Sequence, residues 1–368
     1  MLDNNFNYLL AYDTFNAFLP WTFDALSKSS FYYSLSYIWE DFTLINRNMV
    51  GYLSYSTSWA WIAKMFNLDI YFVLQLSSLF ISSFIPVIFY KILLISKVRA
   101  TIAFRFSLIL PLVSVLFFYS SQILRDCHIG LFYLIVIYTS LKKFSYYNLF
   151  VILVIVLITS LFRIESGLFL SVYLFVYSFM GYKENKSNRF FTSFVISIFI
   201  GLGVYFIYGN LSSISNIYLF INDYYISSVQ ETNGLISKLQ TIPFFIGDFL
   251  SIFYNAIQPV PFWVKLSSNY DPSRPEVYNF MNFPLLFSSF LNWLFICYLF
   301  CYLSFKNIRI NVNLFLNQKY LISIFIGLVF LVVQASVIDQ RRLIGFYFFF
   351  ILFLYLFIYL FLIAIKFI

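Results

Sequence analysis

A series of apolar runs, separated by short polar turns, constrains this chain more than any other feature of its sequence. Nine runs approach the roughly 20 residues that a helix needs to cross the bilayer hydrocarbon. Hydrophobic residues make up 62% of the 368 positions and charged residues 10%, whereas a soluble domain carries about 25% charged residues. The runs predict an all-α integral membrane protein with nine to ten transmembrane helices. The predicted spans are Ile70–Ile95, Phe106–Leu124, Cys127–Leu141, Tyr146–Phe162, Gly167–Tyr182, Phe190–Tyr208, Pro284–Phe305, Tyr320–Ile338 and Leu343–Phe367.

Basic residues between these runs predict the orientation of the helices, because cytoplasmic loops of membrane proteins are enriched in lysine and arginine. One set of connections contains a single acidic residue, Glu184, and is therefore assigned to the cytoplasm. All the other acidic residues then fall on the opposite side. Topology accounts for most of the net charge of +8, and this distribution argues against nucleic-acid binding. The cytoplasmic set comprises Lys97, Arg99, Arg105, Lys142, Lys143, Lys183, Lys186, Arg189, Lys306, Arg309, Lys319 and Lys366.

The runs divide the chain into four parts. Residues 1–69 are expected to be extracytoplasmic or interfacial, and Met49–Phe66 has the mixed pattern of an amphipathic helix lying in the interface. An external first segment implies either that a helix upstream of this start is missing or that Met49–Phe66 inserts. Residues 70–208 are predicted to form a six-helix membrane block and residues 284–368 a three-helix block. Residues 209–283 between them form one large extracytoplasmic loop.

Three short charged turns close pairs of apolar runs on the extracytoplasmic side. Each turn combines arginine with a carboxylate, and the first is followed at once by the chain's only histidine. Because almost no loop separates the runs, these turns are expected at the membrane surface, within reach of a lipid headgroup. Their charged residues are Arg125, Asp126 and His128, then Arg163 and Glu165, then Asp339, Arg341 and Arg342.

The arginines of these turns are candidate ligands of a lipid-linked phosphate ester. Guanidinium groups bind phosphate oxygens bidentately and keep their charge at physiological pH. A departing polyprenyl pyrophosphate develops negative charge that such groups would stabilise. The sequence therefore predicts pyrophosphate binding by Arg125, Arg163, Arg341 and Arg342. The alternative is that they snorkel to the interface or form local ion pairs that close the hairpins.

The acidic residues of the same turns are candidates for proton transfer. A carboxylate near the acceptor sugar would take the proton of the attacking hydroxyl as a general base. Asp126 and Glu165 are the candidates for this role, and the sequence does not choose between them. His128 is a candidate proton shuttle, with a structural role at a helix start as the alternative.

No motif in the sequence predicts a cofactor. The chain has no Walker A sequence, no GxGxxG after a strand, no HExxH and no GxSxG. One histidine and three scattered cysteines make a zinc site improbable. A divalent metal held by carboxylates is left open, without a clustered motif behind it.

The order of features over roughly residues 40–180 resembles a known enzyme group. The residues that carry the likeness are Asn46-Arg47-Asn48, Tyr52, Met65-Phe66-Asn67, Pro111, the run Phe118 to Asp126, Lys142-Lys143 and Leu161 to Glu165, with a weaker echo at Gln340-Arg341-Arg342. This layout resembles the multi-spanning glycosyltransferases of the GT-C type. Within them it looks like the bacterial O-antigen or polysaccharide repeat-unit polymerases (Wzy-type).

The resemblance implies an enzyme of the bacterial inner membrane with its active face in the periplasm. It would join oligosaccharide units carried on undecaprenyl pyrophosphate, and a separate regulator would control chain length. One alternative is a flippase or other transporter of lipid-linked oligosaccharide. A second is a GT-C enzyme that takes single sugars from a polyprenyl phosphate. Membrane lipid is an expected partner in each case, and nucleic acid is not.

Overall fold

Helices make up the part of the chain that the computed structural model describes, and no strand occurs there. That part covers residues 18–40, 50–96, 98–113, 116, 120, 123–142 and 145–180, with isolated helical positions at 287, 290, 291, 294, 297, 298 and 324. The helices are α1 (Leu19–Leu26), α2 (Phe31–Glu40), α3 (Val50–Met65), α4 (Ile70–Ile95), α5 (Ala100–Val113), α6 (Asp126–Leu141), α7 (Tyr146–Phe162) and α8 (Ile164–Met180).

Two helices begin and end at the residues that the apolar runs predict. They are α4 (Ile70–Ile95) and α7 (Tyr146–Phe162), and both have polar N-caps that fix their starts. The other described helices of the predicted spans begin earlier than predicted: α5 at Ala100, α6 at Asp126 and α8 at Ile164. Helix α5 begins at Ala100 instead of Phe106, because Arg105 lies on an exposed face and does not interrupt the helix. The predicted spans beyond α8 lie outside the described residues, apart from the isolated helical positions.

One described helix, α4, is long and apolar enough to cross a membrane. Its 26 residues correspond to about 39 Å of helix axis, more than the hydrocarbon thickness of a bilayer. The apolar parts of α5 to α8 are shorter, between 10 and 17 residues. Length and composition of the described helices therefore identify one clear candidate span and four shorter apolar helices.

The junction between α3 and α4 is set by two polar residues. Asn67 has a φ of 51°, a left-handed conformation that asparagine tolerates better than most residues. The backbone N–H of Leu68 donates to the Ala63 carbonyl at 2.9 Å, and that of Asn67 donates to the Lys64 carbonyl, as in a Schellman helix end. Asp69 then caps α4, its Oδ1 accepting a 2.7 Å hydrogen bond from the Phe72 N–H.

The longer helices form a bundle in which α4 packs most extensively on α6, and α7 packs on both α6 and α8. Helices α4 and α6 run in the same direction. Lys91 near the end of α4 faces Tyr138 near the end of α6, and Tyr52 joins Ser78 in the first half of α4 to His128 at the start of α6. The first turns of α6 therefore lie against the N-terminal half of α4.

The first three helices pack onto this bundle. Helix α3 contacts α1, α2, α4 and α7. Gly51 permits the contact with α7, because a Cβ at this position would lie 2.8 Å from the backbone carbon of Leu161. Thr22 and Ser56 share a buried 2.9 Å hydrogen bond between α1 and α3. Small residues at the crossing allow the backbones to approach, so α3 becomes part of the bundle.

Candidate functional site

Two of the three charged turns meet in the bundle. The Nη2 of Arg163 donates to Oδ1 of Asp126 at 3.0 Å, and the two residues form a buried ion pair. The Nη1 of Arg125 donates to the Phe162 carbonyl at 2.8 Å. Both contacts join the start of α6 to the end of α7, across 37 residues of chain. We refer to Arg125, Asp126, His128 and Arg163 as the hairpin-end cluster.

The position of Arg163 depends on a tight corner between α7 and α8. Arg163 is the single non-helical residue between these helices, and its backbone is extended. Its carbonyl accepts hydrogen bonds from the N–H groups of Ser166 and Gly167, which starts α8. A Cβ at Gly167 would collide with the Ser160 side chain, so the corner requires glycine there. The guanidinium of Arg163 is thereby directed toward α6.

The cluster is buried in the bundle, and its position relative to a membrane surface stays a prediction. Arg125, Asp126, His128 and Arg163 are 9%, 3%, 1% and 9% exposed. The apolar runs locate the ends of the helices but give no sign that another helix covers those ends. Helix α3 does so, since its Tyr52 and Tyr55 rings pack on His128.

His128 is held by aromatic rings. Its ring centroid lies 4.6 Å from that of Tyr55, 5.5 Å from that of Tyr52 and 5.7 Å from that of Phe162. Neither ring nitrogen meets ordinary hydrogen-bond geometry with any group in the described part of the chain, although the Leu124 backbone lies nearby. Ring packing therefore fixes the orientation of the imidazole.

Tyr52 and Tyr55 are site residues that charge-based reasoning does not identify. Their hydroxyls lie next to Ser78 and Ser77 in α4. Burial raises the pKa of Tyr52 well above its ordinary value, and the neighbouring Tyr55 and Asp126 raise it further. Tyr52 therefore stays protonated, available as a hydrogen-bond donor and not as a base. The signal that could have indicated the close packing of α3 is the series of small residues Gly51, Ser56, Ala60 and Ala63 along it.

The remaining candidate residues have no described side-chain positions. Glu165 lies in the first turn of α8, two residues after Arg163, and its side chain is outside the described set. Arg341 and Arg342 lie outside the described residues altogether. Within the described ranges, no group of three histidine, cysteine, aspartate or glutamate side chains is placed to hold a metal ion.

The arrangement combines anion-binding and proton-accepting groups in a water-poor interior. Asp126 is oriented by Arg163, whose Nε is buried without a hydrogen-bond partner among the described residues. A guanidinium in such surroundings interacts more strongly with an anion than it would in water. The cluster is thus suited to an anionic group that competes with Asp126 for Arg163.

No protein-family model, curated protein or solved structure matches the chain. The assignment of a function therefore rests on the geometry of the cluster.

Proposed function

We propose that the chain is a multi-spanning, GT-C-like glycosyltransferase that polymerises lipid-linked oligosaccharide repeat units on the periplasmic face of the bacterial inner membrane. One observation carries the proposal. Two turns separated by 37 residues bring two arginines, a carboxylate and a histidine into one buried cluster. These are the groups that the transfer of a sugar from a pyrophosphate carrier needs.

The surface of the helices supports a membrane location. Large apolar side chains are exposed along α4, α5 and α7, where a water-soluble protein rarely presents extended apolar area. Their exposure is expected if lipid chains surround these helices. Examples are Phe72, Phe80, Phe104, Leu108 and Phe150.

The proposed reaction is a substitution at the anomeric carbon of the growing chain. A hydroxyl oxygen of the incoming lipid-linked unit forms the new bond to that carbon. The bond from the carbon to the pyrophosphate oxygen breaks, and undecaprenyl pyrophosphate leaves with the electron pair. Asp126, or Glu165, accepts the hydroxyl proton, while Arg125 and Arg163 stabilise the charge on the leaving group. His128 passes the proton onward.

The ion pair links substrate binding to the base in this account. In the described state Asp126 accepts a hydrogen bond from Arg163. A pyrophosphate offers more acceptor oxygens and more negative charge than one carboxylate, so it would compete for the guanidinium. When the Arg163 guanidinium binds the pyrophosphate instead, an oxygen of Asp126 is released and can accept a proton.

The cluster is closed in the described state, so the substrate must displace covering side chains. Tyr52 and Tyr55 on α3 contact His128 from one side. Movement of this part of α3 away from α6 would open a path to the ion pair. Sugars often pack against aromatic rings, and the same two rings would then face the substrate.

The proposal is tested by the length of surface polysaccharide after substitution of the cluster. Arg125→Ala, Asp126→Asn and Arg163→Ala are compared at equal protein level in a cell that lacks its own copy of the gene. We expect loss of long chains with single-unit product retained. Lys142→Ala, at the opposite end of α6, is the matched control and keeps the full ladder. A full ladder from all three cluster variants would refute the assignment.

Burial of the charges favours a second candidate, a flippase or transporter of lipid-linked oligosaccharide. Charged residues inside membrane proteins commonly mark a substrate path. The same gel separates the two functions, because a flippase variant loses all surface units, including the single-unit product. A glycosyltransferase that uses a polyprenyl phosphate monosaccharide donor is a third candidate. Loss of that activity would change the spacing of the ladder by one sugar.

A further inference from the structure

Two lysines from different helices converge on one aromatic ring at the opposite end of α4 and α6. The Nζ of Lys142, just after α6, lies 4.2 Å from the centroid of the Tyr138 ring. The Nζ of Lys91, in the last turns of α4, lies 5.9 Å from the same centroid. Both lysines are exposed, and Tyr138 is half-buried. We refer to these three residues as the lysine pair and its ring.

This convergence places two positive charges close together. The ammonium groups are at most about 10 Å apart, comparable with the roughly 8–10 Å over which physiological salt screens charges. Each lysine is attracted by the ring face and by the carbonyl ends of its helix. Neither attraction requires the two lysines to share one ring. Their mutual repulsion opposes their convergence on it. An anion between them would remove that repulsion.

The surroundings of the lysine pair indicate which anion fits. Tyr146 and Tyr147 at the start of α7 are 79% and 74% exposed, as aromatic residues at a membrane interface often are. Leu94 and Ile95, which end α4, are exposed apolar side chains one helical turn after Lys91. A ligand that carries both a phosphate and acyl chains would satisfy the charges and the apolar surface together.

We propose that the lysine pair binds the phosphate diester of an anionic phospholipid in the leaflet at that end of the bundle. Lysines near a bilayer surface attract anionic lipid in this way. The lysine stems lie along the apolar surface and the ammonium groups reach the headgroup. This inference rests on the membrane location in the proposed function, but not on glycosyl transfer, since the hairpin-end cluster lies at the other end of α6.

The test measures lipid retained by the full-length chain. Protein purified in a mild detergent is mixed with phosphatidylglycerol or phosphatidylcholine, and the bound lipid is quantified by native mass spectrometry. The test variant is Lys91→Gln/Lys142→Gln. The matched control is Lys64→Gln, because Lys64 also lies over a ring, that of Trp61 at 4.5 Å, on another helix. A separate sample receives inorganic phosphate as a competitor.

We expect wild-type protein and Lys64→Gln to retain phosphatidylglycerol over phosphatidylcholine. At about fivefold for each lysine, the double variant should bind phosphatidylglycerol about 25-fold more weakly. Equal retention of the two lipids by wild-type protein, or an unchanged double variant, would overturn the inference. Loss of lipid to millimolar inorganic phosphate would also overturn it, by identifying a free-phosphate site. If alkaline carbonate released the chain from membranes, the membrane location would fail and this inference with it, whereas loss of polymerisation alone leaves it standing.

Discussion

The two ends of α6 hold charged residues in opposite ways. At its start, Asp126 and Arg163 are buried and form an ion pair, and aromatic rings enclose His128. At its end, Lys142 and the neighbouring Lys91 are exposed and lie over a tyrosine ring. A charged turn between apolar runs therefore gives a covered cluster at one end and an open surface at the other. What distinguishes them is the neighbouring helix, because α3 covers only the first.

The contrast predicts very different sensitivity to loss of charge. Arg163→Ala leaves Asp126 as a buried carboxylate without its ion-pair partner, which should lower the free energy of unfolding by about 3–5 kcal/mol. Lys142→Ala removes an exposed charge and should change it by less than about 0.5 kcal/mol. Unfolding of the two purified variants in mixed detergent micelles, followed by helical circular dichroism, measures both. Equal losses of unfolding free energy in the two variants would contradict the distinction between the two ends of α6.

The cover itself can be weakened at the crossing of α3 and α7. Gly51→Ala places a Cβ 2.8 Å from backbone atoms of Leu161, so it should destabilise the fold by about 1–3 kcal/mol. It should also loosen the packing of Tyr52 and Tyr55 on His128. Ser58→Ala in the same helix is the control, because among the described residues its hydroxyl donates to the Ser54 carbonyl within α3. The Gly51 variant alone should increase labelling of a cysteine placed at position 55.

The smallest expected effect is at the start of α4. Asp69→Ala removes the side chain that accepts from the Phe72 N–H and should lower the free energy of unfolding by about 1 kcal/mol. Asp69→Ser retains an acceptor and should recover most of that loss. If serine behaved like alanine in the same unfolding measurement, the carboxylate would be acting by charge and not as a cap.

The sequence predicts those parts of the fold that depend on neighbouring residues. The bounds of α4 follow from an apolar run behind Asp69, and those of α7 from one behind Ser145, whose Oγ accepts from the Asn148 N–H. The helices α1 and α2 were not predicted, because their mixture of polar and aromatic residues shows no clear apolar run.

The sequence indicates which residues form the hairpin-end cluster, but not which side chains surround them. Arg125, Asp126, His128 and Arg163 are recognisable as charged or titratable residues between apolar runs. Their burial depends on a contact across 37 residues and on the covering helix α3, and neither follows from local pattern. Tyr52 and Tyr55 were missed as contacts of His128 for the same reason, since tyrosines are common throughout this chain.

A double-mutant cycle on Asp126 and Arg163 tests whether the two turns meet through a buried ion pair. Unfolding free energies are measured for the wild type, Asp126→Asn, Arg163→Gln and the double variant in the same micelles. We expect a coupling energy of about 2–3 kcal/mol, so that the double variant loses less stability than the sum of the two single losses. A coupling within about 0.5 kcal/mol of zero would contradict it, because the two side chains would then not share a buried contact.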